Sequence, residues 1–101
     1  FSAGRIPIFD GCERYVKMGL IPGVSKLSKK YLKDAIRIDS RVREELVDVL
    51  FDAQTSGGLL ISLSEEKAEV ICATLKERGV MAARIVGKVC ERKDVSLIVT
   101  P

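Results

Sequence analysis

One stretch constrains this chain more than any other: Phe51-Asp52-Ala53-Gln54-Thr55-Ser56-Gly57-Gly58-Leu59-Leu60-Ile61. It joins the end of an amphipathic segment to the most apolar run in the sequence. Asp, Gln, Thr and Ser stand directly against a glycine pair. Two adjacent glycines open backbone conformations closed to other residues and let another group approach the main chain. A tight connection between a helix and a strand accounts for the glycines on general grounds. Folding gives no obvious reason for four polar side chains at the same place. Asp52, Gln54, Thr55, Ser56, Gly57 and Gly58 are therefore the first candidates for a site.

The segments on either side follow from periodicity. Ala3 to Phe9 reads as a strand with Ile6 and Ile8 on one face, and Pro7 marks an edge or an end. Asp10 is a good N-cap, and Glu13 three residues later completes a capping-box pattern. Cys12, Tyr15, Val16 and Gly19 then share a helical face, and Pro22-Gly23 stops that helix. Lys26, Lys29, Lys30 and Lys33 follow on a further helical segment. Such a run is by default a solvated face, with a phosphate-facing patch as the alternative.

Ala35 to Ile38 reads as a short strand, and Asp39 or Ser40 as the cap of the next helix. Val42, Leu46, Val49 and Leu50 form the buried stripe of that helix. Gly58 to Leu63 reads as a central strand, apolar on both faces. Ser64 caps a helix from Glu65 to about Arg78, with Ala68, Ile71, Cys72 and Leu75 inward and Gly79 just past its end. Met81 to Val89 reads as a strand, Glu91 to Asp94 as a charged turn, and Val95 to Val99 as the second arm of an antiparallel hairpin. The expected class is α+β: a mixed β-sheet with helices packed on it, in one domain spanning 1-101.

Composition narrows the functions. A net charge of +3 is too mild to argue for nucleic acid, and the five aromatics do not interleave with a basic run. No apolar run is long enough to span a membrane, and no secretory pattern precedes the domain. Histidine is absent, so no Ser-His or Cys-His nucleophile can be built from this chain alone. Cys12, Cys72 and Cys90 match no metal or redox spacing. They read as buried, reduced thiols, which points to a cytoplasmic setting. The carboxylates lie along a solvated helix face, with no catalytic pair and no metal cluster among them. The chain begins at Phe1 rather than Met, so a longer polypeptide is expected, with the chemistry in its other part.

The central stretch resembles the Asp-Pro-Gln-Thr-Ser-Gly-Gly-Leu-Leu signature of the selenophosphate synthetases (selenide, water dikinases), members of the AIR synthase-like superfamily. Ala53 stands where that family has Pro. A second stretch, Ile21-Pro22-Gly23-Val24-Ser25-Lys26-Leu27-Ser28, is similar to the family's Pro-Gly-Gly-Thr-x-x-Asn segment, with Val24 for the second Gly and Ser28 for Asn. Gly23, Lys26 and Ser28 are thus weaker site candidates. Ile-Pro-Ile-Phe-Asp-Gly near the start and Ala-Ala-Arg-Ile-Val-Gly-Lys-Val late in the chain look like two further family segments.

The resemblance implies the later part of an AIR synthase-like carboxy-terminal domain, belonging to an enzyme that makes selenophosphate from selenide and ATP and releases AMP and phosphate. It implies ATP and magnesium in the whole enzyme, an amino-terminal ATP-binding domain as partner, and a homodimer. No catalytic motif of that amino-terminal half matches this chain, so the fragment alone is expected to be inactive. Another AIR synthase-like enzyme, of the hydrogenase-maturation or thiamine-phosphate kinase type, is the alternative. A non-catalytic dimerisation or regulatory module is a third reading. A direct phosphate cradle at the glycines is disfavoured by the order of elements. Phosphate loops run strand, Gly loop, helix; here the order is helix, Gly loop, strand, and a helix C-terminus carries negative partial charge.

Overall fold

The structure is a computed structural model that describes residues 1–101. Its helices are α1 (Cys12–Lys17), α2 (Gly23–Leu32), α3 (Glu44–Leu50) and α4 (Glu65–Glu77). Its strands are β1 (Ile36–Ile38) and β2 (Leu97–Val99). The strands pair in parallel with Ile36 opposite Leu97 and Ile38 opposite Val99. The class is α+β, as the periodicities imply.

The sheet is built from long-range partners. Ala35, immediately before β1, accepts from the N–H groups of Ser96 and Leu97, and the Asp39 N–H donates to Val99 at the other end. Arg37 bridges to Asp94 at 2.7 Å, beside the start of β2. On its other side β2 runs into an isolated parallel bridge between Ser2 and Thr100. The core lies over this sheet: Ala3, Val42, Leu46, Val47 and Val99 are buried, with Ile8, Ile36, Ile38, Leu50, Phe51 and Leu97 packed against them.

Helix faces and ends agree with the sequence in part. Ala68, Ile71, Cys72 and Leu75 are the half-buried stripe of α4. Gly79 adopts φ +88°, and its N–H and that of Val80 satisfy the carbonyls of Lys76 and Leu75. This is the paired closure of a helix end that a left-handed residue permits. The caps differ from expectation at the other ends. Gly11, not Asp10, caps α1, and Glu13 turns away to receive the Arg43 guanidinium, tying α1 to the start of α3. Asp39 does not cap α3, which begins only at Glu44. Its carboxylate instead accepts from the Arg41 N–H two residues on, and from the Arg41 side chain. Ser64 precedes α4 without a side-chain capping bond.

Three expected strands are absent. Residues 3–5 form a 3₁₀ turn, because Ala3 donates to Thr100 and then folds back so that Ile6 donates to Ala3. Ile6 and Ile8 stay half-buried, so the alternation survives without a ladder. Residues 58–63 and 81–89 are not in strands, and Val95 to Val99 forms no antiparallel hairpin with the latter. The reason is partnership: β2 finds β1 some sixty residues earlier, and no segment hydrogen-bonds to the backbone of 58–63. From Ala53 to Leu63 no backbone group makes a backbone hydrogen bond. Segment 84–95 makes one, from the Ser2 N–H to Val86 at 2.9 Å, and there Gly87 lets the Phe1 backbone come close.

Burial is correspondingly thin. Six of 101 residues are buried, and the accessible surface is 8221 Å². A folded chain of this mass ordinarily exposes about 5,700 Å², so roughly 2,500 Å² is in excess. The radius of gyration, 14.7 Å, is also above the ~13 Å of a compact domain this long.

Candidate functional site

The signature begins where α3 ends. Phe51 closes the helix by donating to Val47, and Asp52 donates to Val49. Asp52 is half-buried; from Ala53 onward the loop is exposed. The Gln54 amide reaches back to the Asp52 carboxylate at 3.4 Å. Thr55 and Ser56 make no hydrogen bond through their side chains, and both glycines are open to solvent.

Neither glycine has a positive φ. A Cβ on Gly57 would meet only Gln54 Cβ, at 4.0 Å, and one on Gly58 would meet nothing. Sequence reasoning allowed a positive φ as one cause of the pair; the structure removes it. A plain turn, or close approach by another group, would account for the pair without it.

Asp52 and Gln54 line a cavity of about 470 Å³, with Ile8, Cys12, Tyr15 and Pro22 among its other walls. This volume is in the range of ligand pockets, and a mainly apolar lining with a few polar groups is usual for them. The hollow brings part of the two family-like stretches together, since Ile21 and Pro22 share its wall with Asp52 and Gln54. Gly23, Lys26 and Ser28 lie on α2 beyond that wall and do not line it. Helix α2 is held instead at Lys29, whose ammonium pairs with Asp48 of α3 at 3.0 Å. Lys26, Lys30 and Lys33 are exposed, which is the solvated-face reading of the run.

Local charge around the loop is negative. Asp52 has no cationic partner, and the C-terminus of α3 adds partial negative charge. No group of three or more Cys, Asp or Glu side chains is arranged to hold a metal ion. A second hollow of about 320 Å³ is lined by Arg5, Lys76 and Arg84 beside Cys72, and by none of the signature residues.

The thiols are only partly as expected. Cys12 and Cys72 are half-buried, and Cys72 Sγ donates to the Ala83 carbonyl at 3.4 Å, but Cys90 is exposed. Its neighbours on segment 84–95 have no sheet to enter. Sequence reasoning missed Ser25, which is 2% exposed with a hydroxyl that finds no partner. Its position in the first turn of α2, in a Pro-Gly-x-Ser run, was the available signal.

The fold and the loop define a small α+β unit whose polar signature projects from a helix end into open space. Residues 21–100 match the family model of the AIR synthase related protein, C-terminal domain, and the chain belongs to that family. It is 43% identical over 99 residues to a selenide, water dikinase of Caldanaerobacter subterraneus subsp. tengcongensis, covering 98% of this chain and 28% of the relative. It is 38% identical over 98 residues to a selenide, water dikinase 2 of Peptoclostridium acidaminophilum, covering 97% and 28%. A Clostridium botulinum (strain Eklund 17B / Type B) selenide, water dikinase is 42% identical over 94 residues, covering 93% and 27%. The chain thus spans little more than a quarter of the length of these curated relatives. No solved structure matches it. The resemblance read from the glycine-pair stretch is borne out, and no helix is long and apolar enough to cross a membrane.

Proposed function

We propose that this chain is the later part of the carboxy-terminal domain of a selenophosphate synthetase, an enzyme that forms selenophosphate from selenide and ATP with release of AMP and phosphate. The observation that supports this reading most is near-complete coverage of the chain by selenide, water dikinases at 38–43% identity. In this reading the amino-terminal ATP-binding domain of the same polypeptide supplies the catalytic groups, and the whole enzyme works as a cytoplasmic homodimer. ATP and magnesium belong to that other part. The residues here do not fit a magnesium site, since no carboxylates converge, and no step is assigned to one.

The role of Asp52, Gln54, Thr55, Ser56, Gly57 and Gly58 is then to form the seam against the nucleotide-binding part, closing it from water. The C-terminal end of α3 beside the loop and the free space at both glycines favour this over a phosphate contact. Gly23, Lys26 and Ser28 would stand at the margin of that seam.

The test is AMP release from ATP, magnesium and selenide. The full-length parent should turn over, and this chain alone should not. Turnover by the chain alone at the rate of a complete enzyme would remove the assignment of catalysis to the other part. Gly57→Val in the parent should keep the melting temperature and lower turnover or nucleotide affinity. Normal melting with normal turnover would remove the functional role of this stretch.

A further inference from the structure

Three cations from three separate segments converge on one concavity. Arg5, Lys76 and Arg84 line the hollow of about 320 Å³, together with Gly4, Cys72 and Ile85. None of the three belongs to any of the chain's six ion pairs, and no carboxylate lines the hollow. Lys88 is near enough to be repelled by Arg5, but Glu65 already holds it at 2.7 Å. The helix macrodipole accounts for a cation at Lys76, in the last turn of α4. It does not account for Arg5 and Arg84, which arrive from the 3₁₀ turn and from the segment after α4. Like charges gathered in one place repel one another, and the fold gives these no partner.

We propose that this hollow is a binding site for a phosphate-type dianion, separate from the signature loop. A guanidinium presents its N–H groups as a fork that matches two phosphate oxygens, and a lysine adds a point charge. Gly4 brings a further donor, since its N–H donates to no group of the chain. A Cβ at Gly4 would meet nothing within 4 Å, so the backbone is open to a ligand there. Cys72 takes no part, because its thiol donates to the Ala83 carbonyl at 3.4 Å.

Charge and size choose the ligand. The C-terminus of α4 contributes only about half a negative charge against three full positive ones. A carboxylate from another segment would balance one of the three, whereas a phosphate group carries a charge of about −1.5 to −2. The volume is at the small end for ligand pockets, which suits a phosphate ion or a small phosphate-bearing molecule. The inference does not depend on the selenophosphate reading of the chain.

The experiment is phenylglyoxal modification of arginines in the full-length parent, followed residue by residue by peptide mass spectrometry. Arg92 is the control, being exposed, unpaired and outside the hollow. With about 10 mM inorganic phosphate, Arg5 and Arg84 should react roughly tenfold more slowly and Arg92 at an unchanged rate. Lys76→Gln should raise the concentration for half protection about tenfold without moving the melting temperature, because the side chain is exposed. Arg84→Lys keeps the charge but loses the fork, and should weaken protection of Arg5 by a smaller factor. ATP in place of phosphate separates the sources. Protection at lower ATP than phosphate concentration assigns the phosphates of a nucleotide, and the reverse assigns the free ion; either supports the site if Lys76→Gln weakens it. Protection by neither overturns the proposal. So does equal protection by sodium chloride at the same ionic strength, which would be screening alone. Protection unchanged in Lys76→Gln overturns it too, as do Arg5 and Arg84 that fail to react without phosphate because another segment covers them.

Discussion

Two regions of this molecule, one made of residues 1–52 with 96–101 and the other running from 53 to 95, are both rich in aliphatic residues but use them differently. In the first, α1 and α3 pack with β1 and β2, and Leu46, Val47 and Val99 are buried. In the second, α4 and the extended segments around it bury no residue fully, and Leu59 and Val89 stand almost entirely in solvent. The difference is not hydrophobicity. The first region contains both members of its strand pair, β1 and the distant β2, so its apolar stripe has something to close against. The second region holds strand-like segments that form no ladder with any other part of the chain. A domain core depends on which segments are present together, and an apolar sequence alone does not create one.

Substitutions at matched positions should make that contrast measurable. Leu46→Ala removes a buried side chain between α3 and the sheet, and should destabilise the chain by about 2–5 kcal/mol in urea unfolding. A loss as small as that of a surface change would mean that the first region is no core. Gly87→Val should come next, at about 1–3 kcal/mol, because crowding must push backbone apart. A Cβ there would lie 3.1 Å from Phe1 Cα. An unchanged melting temperature would show that segment 86–87 does not pack against the amino-terminal residues.

A smaller effect is expected at Asp39. Hydrogen bonds from the Arg41 side chain, and then from the Arg41 N–H, pull its carboxyl down from 3.8 to about 2. A depressed folded-state pKa stabilises the fold above the ordinary carboxylate range. The contribution is fully present above about pH 4 and is lost as pH falls through about 2. Asp39→Asn should remove that contribution, lowering the melting temperature most above about pH 4 and least near pH 2. Parallel melting curves for the two proteins down to pH 2 would show that the Arg41 contacts do not hold in solution.

The smallest effect in this chain is expected for Leu59→Ala, within about 0.5 kcal/mol, since the side chain touches little. The same change in the full-length parent should cost about 2 kcal/mol or more if another part of the polypeptide covers it. Equal small costs in both would leave the regions different for a reason other than a missing partner.

Much of the local structure was legible because its causes are local. The α4 stripe, the Gly79 closure and the end of α3 before the polar signature follow from spacing and residue type within a turn or two. The signature itself was legible as a pattern, and so was the family. The burial of Ser25 was not, because the Pro-Gly-x-Ser run marks a helix start but not what will cover it.

Sequence determined which faces are apolar, where the helices stop, and that a polar loop must follow α3. Only the tertiary structure decided which strands exist. Residues 58–63 and 81–89 have every local property of a strand, yet a strand is defined by hydrogen bonds to another segment, and those bonds are made or missed elsewhere. Ile36–Ile38 and Leu97–Val99 became a parallel pair across sixty residues because the intervening chain brought them side by side. Ala3–Arg5, with the same alternation, turned into a 3₁₀ coil because its one ladder contact, to Thr100, lay at its very start.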